Sequence, residues 1–198
     1  MTVTASAPTR VDLAGGTIDI WPLYLWHPGA QTLNAAIDIR AHARIESRAD
    51  DAVAIVSEDL GTATGPLSRE GLAADEVLPL PAKLAHFFGV RGVTITTRSE
   101  SPAGAGLAGS STLNIALTSA LARWTGRTLT DDALLEIAKN VEAQVIAVPT
   151  GLQDYRPALY GGIASLEMDA FGTRRTALAI DADALSARLV VCYTGAPR

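Results

Sequence analysis

The alternation of apolar and polar positions is clearest over residues 32–48, where Ile37, Ile39, Ala41, Ala43 and Ile45 share one face and Asp38, Arg40, His42, Arg44 and Glu46 share the other. A period of two over that length predicts one long antiparallel strand, buried on one side. Shorter strands are predicted over residues 3–5, 52–57 and 93–98. Three more are predicted at 163–167, behind Gly161-Gly162, at 174–180 and at 187–193. Helical periodicity appears at 81–88, closed by Gly89, and at 110–124. A third helix runs from Thr130-Asp131-Asp132, a capping sequence, to about residue 146. Its apolar stripe is Leu134, Ala138, Val141 and Val145, and Pro149 and Gly151 end it. The aromatic, proline-punctuated stretch 21–30 and the polar stretch 61–79 read as loops. Strands and helices mix without strict strand–helix–strand alternation, which favours an α+β layered domain over a doubly wound one.

Length and composition narrow the function. The 198 residues suggest one domain, or at most one and a half, and a 48% hydrophobic content is enough for a core. Net charge is −5 and the basic residues are scattered, with Lys83 and Lys139 the two lysines, so nucleic acid is not an expected partner. An anionic ligand would have to be held locally, by backbone N–H groups, a metal or one or two arginines. The single cysteine, Cys192, excludes an internal disulfide and a multi-cysteine zinc site. His27, His42 and His86 lie on separate elements and do not suggest a metal cluster. Residues 1–8 lack the features of a signal peptide, and no apolar run reaches the length of a membrane span. A cytoplasmic domain without a membrane partner is the expectation.

The segment Ser101-Pro102-Ala103-Gly104-Ala105-Gly106-Leu107-Ala108-Gly109-Ser110-Ser111-Thr112 joins a predicted strand to a predicted helix. Its glycines let the backbone turn N–H groups inward, and the helix N-terminus behind it favours an anion. The hydroxyls of Ser110, Ser111 and Thr112 arrive at the same place, either to cap the helix or to reach a phosphate-bound Mg²⁺. An ordinary P-loop would need a lysine after the last glycine, and none is present. The G-x-G-x-x-G of Gly104, Gly106 and Gly109 lacks the βαβ setting of a dinucleotide site. A tight strand-to-helix turn with a serine cap is the competing account. Glu142 on the following helix and Asp154 in Gly151-Leu152-Gln153-Asp154-Tyr155 form a plausible pair for metal binding and proton handling. Trp21, Tyr24 and Trp26 lie after Asp19, either as a platform for a sugar ring or as a small apolar anchor for the loop.

In this order the pieces resemble the GHMP kinases, a family that includes galactokinase, homoserine kinase and mevalonate kinase. The opening Ala7-Pro8-Thr9-Arg10-Val11-Asp12-Leu13-Ala14-Gly15-Gly16-Thr17-Ile18-Asp19, followed by Thr32-Leu33-Asn34-Ala35-Ala36-Ile37-Asp38, is most similar to the heptose 7-phosphate kinase branch. The resemblance implies an α+β N-terminal lobe of the ribosomal protein S5 domain 2-like type, with an antiparallel or mixed sheet and helices on one side. It would occupy residues 1–198, with 193–198 leading towards a second lobe absent from this sequence.

The implied activity is ATP-dependent phosphorylation of a sugar or sugar-phosphate hydroxyl. A mevalonate-type kinase, an ATP-dependent decarboxylase and a nucleotide-binding module without catalysis are the alternatives. The implied cofactors are ATP and Mg²⁺, and the implied partners are a small sugar compound and either a second copy or a separate C-terminal lobe. By the same resemblance, Pro102 and the backbone from Gly104 through Ala105, Gly106, Leu107, Ala108, Gly109, Ser110 and Ser111 to Thr112 would cradle the phosphates. Ser111 and Glu142 would hold Mg²⁺. Asp154 would orient the attacking hydroxyl or accept its proton, with Arg10 beside it to stabilise charge on the transferring group. Asp19, Gly151 and Gln153 would contact the acceptor. Ala108 stands where many relatives carry glycine, which is harmless if the residue needs no positive φ.

Overall fold

The computed structural model describes residues 1–16 and 18–195; Thr17, part of the opening motif, and residues 196–198 lie outside it. Strand β1, Thr2–Ala14, pairs antiparallel with β2, Gln31–Ser47, along most of its length. The strand expected at 3–5 therefore continues through Pro8 and Arg10, because β2 supplies a partner all the way. Strands β3 (Val53–Ser57), β4 (Thr62–Leu67), β5 (Val93–Ser99), β6 (Ile163–Asp169) and β7 (Gly172–Ala177) complete a seven-stranded sheet. Its order is β4-β3-β5-β2-β6-β7, with β1 alongside β2. Only the β3–β5 pairing among these is parallel, so the sheet is mixed.

The helices are α1 (Arg69–Ala74), α2 (Pro79–Phe88), α3 (Gly109–Trp124), α4 (Asp131–Ile146), α5 (Tyr155–Tyr160) and α6 (Ala182–Ser186). Thr130 caps α4, its hydroxyl accepting the Ala133 N–H, as the sequence suggested. The buried side of α4 is Leu135, Ala138, Val141 and Glu142, with Leu134 and Val145 half-buried, so the stripe is rotated slightly from its expected position. Helix α3 rests on β1 and β2 and is flanked by α2, α4 and α5. Ile45, Ile55, Val93 and Ile95 from the sheet meet Leu84, Leu117, Leu121 and Leu135 from the helices. Burying each such side chain contributes about 1.5–3 kcal/mol.

Four expectations change. The loop at 61–79 contains β4 and α1: β3 offers β4 an edge, and the Ser68 hydroxyl caps α1 by accepting the Gly71 N–H. Within 21–30 lies a short 3-10 helix, Leu23–Trp26. The last sheet strand begins two residues earlier than expected. Residues 187–193 form no strand; Val190 is 92% exposed, and no described strand lies beside this stretch to pair with it.

The long strand also breaks phase. Pro8 pairs with Arg40 and Thr9 with Ile37, leaving Asp38 and Ile39 as a bulge opposite a residue that has no N–H to donate. Past the bulge Ala41, Ala43 and Ile45 are buried; before it Thr32 and Asn34 are buried, and Ile37 and Ile39 are only half-buried. The apolar stretch packs under α3, and the polar stretch lies under the cleft described next. No helix among the described residues is long and apolar enough to cross a membrane.

Candidate active site

An open cleft of about 640 Å³ is walled by the 101–111 segment, the start of α3, the end of α4 and the loop at 148–154. The loop is shaped by three left-handed residues: Gly104 at φ +72°, Gly106 at +75° and Ala108 at +62°. The first two are free for glycine. Ala108 does take a positive φ, at a cost of about 1–2 kcal/mol, because the chain must reverse there to start α3. No side chain caps α3, so its leading N–H groups face the cleft without a serine competing for them. The serine-cap account therefore loses its main element. Ser110 and Ser111 instead donate to Oε1 of Glu142, at 2.8 and 3.4 Å.

Glu142 is only 5% exposed, and no described cation pairs with it. Its second oxygen, Oε2, accepts the Tyr155 hydroxyl at 2.6 Å and the Asn114 amide at 3.4 Å. Burial pushes the Tyr155 phenol up, and the neighbouring Glu142 carboxylate adds to this, so Tyr155 stays a neutral donor. At the other end of the cleft Arg10, 6% exposed, donates through Nε and Nη2 to Oδ1 of Asp154 at 2.9 and 2.5 Å. Its Nη1 donates to the Gly106 carbonyl at 2.8 Å, tying the pair to the glycine loop. Asp12 lies 3.4 Å from Arg10 Nε.

Asp19 is buried beside this pair, and its Oδ2 accepts the Gln153 N–H at 2.6 Å. Burial raises the Asp19 carboxyl above its ordinary range; the Gln153 N–H opposes this and the charge of Asp154 reinforces it. Gly151 packs so closely that a Cβ there would sit 1.9–2.2 Å from the Asp19 carboxylate atoms. Of the residues singled out by sequence, Arg10, Asp19, Glu142, Gly151, Gln153, Asp154, Pro102 and 104–111 all line this cleft. Thr112 does not: its hydroxyl is buried and donates to the Pro8 carbonyl, and its N–H is used by Ala108 within the helix. Trp21 and Trp26 are mostly exposed and outside the lining, although Ile20 is part of it.

Sequence reasoning missed Tyr155 and Asn114 at Glu142, and Asp59, Leu60, Ile146 and Val148 on the walls. For Asn114 a weak signal was available, an amide between Leu113 and Ile115 on the helix behind the glycine loop. Asp59 and Leu60 arrive from the β3–β4 turn and carry no local signal.

Residues 77–162 match the family model described as "GHMP kinases N terminal domain". Among curated proteins the chain is 30% identical over 173 residues to the D-glycero-alpha-D-manno-heptose 7-phosphate kinase of Campylobacter jejuni, covering 84% of this chain and 50% of that one. It is 26% identical to the mevalonate kinase of Thermococcus sibiricus, over 81% of this chain and 50% of that one. Among solved structures, a D-glycero-D-manno-heptose 1-phosphate kinase from Bacteroides thetaiotaomicron superposes with a TM-score of 0.82 at 26% identity, over 91% of this chain and 61% of that one. The chain thus spans about half the length of the curated relatives it matches.

Proposed function

We propose that this chain is the nucleotide-binding part, extending over residues 1–198, of a kinase that transfers the γ-phosphoryl group of ATP to a hydroxyl of a sugar or sugar phosphate of the heptose-phosphate type. The observation that carries the reading is the Arg10–Asp154 pair, bonded through the same guanidinium to the glycine loop at Gly106. Acceptor activation and phosphate binding would thereby be tied together through one side chain. The named relatives support the acceptor class.

The residues suit a nucleotide with Mg²⁺. Glu142 is a buried carboxylate among neutral donors, with one oxygen directed at two serine hydroxyls. Such hard oxygen donors, one carboxylate and a hydroxyl, are what Mg²⁺ takes from protein when phosphates and water supply the rest. Ser111 and Glu142 would hold the ion, which when bound neutralises phosphate charge. The N–H groups around Gly106 to Ser111 would donate to the phosphate oxygens. Asp154 would orient the acceptor hydroxyl and take its proton as the oxygen–phosphorus bond forms and the bond to the departing diphosphate breaks. Arg10 would stabilise charge on the equatorial oxygens, and Asp19 and Gly151 would border the acceptor.

The test is ADP release from MgATP, by the full-length natural protein, across heptose phosphates, hexoses, mevalonate and homoserine. Turnover with a sugar compound is expected, falling at least about 100-fold in Asp154→Asn. Turnover of mevalonate alone would move the acceptor class. An undiminished Asp154→Asn would remove Asp154 from the chemistry, and nucleotide binding without any turnover would reduce the protein to a binding module.

A further inference from the structure

Strand β2 carries two polar side chains, Thr32 and Asn34, at positions as buried as its Ala41, Ala43 and Ile45. Buried polar groups need partners, and both side chains reach the same residue, Gln153. The Asn34 amide donates to the Gln153 carbonyl at 3.1 Å. The Thr32 hydroxyl lies 3.3 Å from Gln153 Oε1 and 3.4 Å from the Gly16 carbonyl. The Gln153 N–H is taken by Asp19 at 2.6 Å. Gln153 is therefore held at its N–H, its carbonyl and its side chain, from two separate segments of chain, and Asp154 is the next residue.

We propose that Thr32 and Asn34 are positioning residues for phosphoryl transfer: acting through Gln153, they fix the loop at 150–154 so that Asp154 meets Arg10 at bonding distance. Neither lines the cleft, so neither reaches a substrate. Their polarity where β2 would otherwise be apolar is explained by this task. The proposal deepens the kinase reading and rests on Asp154 as the residue that handles the acceptor hydroxyl. It also assigns Gln153 to holding the loop, beyond any contact it makes with acceptor.

The experiment compares Thr32→Val, which is isosteric, and Asn34→Ala with Thr32→Ser, all in the full-length protein. Hydrogen exchange is followed by mass spectrometry, and steady-state kinetics is measured alongside. The expected result is exchange of the 150–155 peptide faster by about tenfold, the size of one lost hydrogen bond, with peptides in β5 and α2 unchanged. Alongside it, kcat falls roughly 10- to 100-fold at constant KM for both substrates, and Thr32→Ser restores both readouts. Unaltered exchange at 150–155 overturns the clamp, as does a loosened loop with intact kcat. A loss confined to the acceptor KM would make these residues substrate contacts instead. If the wild type turns over no acceptor, the kinase reading fails, while faster exchange at 150–155 would still support the clamp.

Discussion

Two acidic side chains share the cleft and are treated in opposite ways. Asp154 receives a guanidinium from within the fold, two N–H groups of Arg10 on one oxygen. Glu142, deeper and only 5% exposed, receives four neutral donors from Ser110, Ser111, Asn114 and Tyr155, and no described cation. A buried carboxylate without a counter-charge is costly. The fold answers the charge at Asp154 with a guanidinium, whereas at Glu142 the described residues supply neutral donors alone. Under the proposed function, the difference would separate a group that orients a hydroxyl from one that holds a cation.

The strongest way to break this contrast is Glu142→Gln, which keeps the shape and one of the two accepting oxygens and removes the charge. Nucleotide affinity in the presence of Mg²⁺ should fall about 10- to 100-fold, the weight of one or two charge-assisted bonds. Without Mg²⁺ it should hold or improve. Calorimetric titration with ADP at several Mg²⁺ concentrations checks this, and an equal loss without the ion would mean that Glu142 serves only the fold.

A smaller effect is expected at Asp19, the second carboxylate beside Asp154. Its folded-state carboxyl is raised from an ordinary value of 3.8, mainly by burial. In the window above 3.8 the native protein then binds more protons than the unfolded chain, so stability falls as pH rises through it. Asp19→Asn keeps an acceptor for the Gln153 N–H and should melt higher than wild type at neutral pH, with the advantage fading as pH approaches 4. Thermal denaturation across that range decides; an Asn variant less stable at pH 7 would mean that the ionised group is net favourable.

The smallest change tests the loop between the two acids. Ala108→Gly relieves a left-handed alanine and should add on the order of 0.5–1 kcal/mol, after allowing for the greater freedom of glycine in the unfolded chain. The expected signature is a higher denaturant midpoint at constant slope. A lower midpoint would show that Ala108 bears no strain there.

The α+β class, helices α2, α3 and α4, and the long strand were legible because each is driven by local pattern: period two, period 3.6, a Thr130 cap, a terminal Gly89. Strand β4 and helix α5 were not, because β4 exists through the edge that β3 offers and α5 is too short to show a period. The apolar run at 187–193 misled for the converse reason: strand propensity without a described neighbour leaves Val190 in solvent. For the cleft, the candidate residues were visible as a set, whereas their wiring was not. That Ser110 points to Glu142, or that Gln153 hangs from β2, depends on side-chain directions fixed only by tertiary contact.

The bulge at Asp38 and Ile39 makes β2 behave as two strands spliced end to end without a loop. Beyond it the strand is indexed to the core, through Ala41, Ala43 and Ile45; before it, to the cleft, through Thr32 and Asn34. A bulge bends its strand and re-aims the side chains that follow. The splice therefore works as a coupling: one continuous strand holds the loop beside the cleft at one end and the packing beneath α3 at the other.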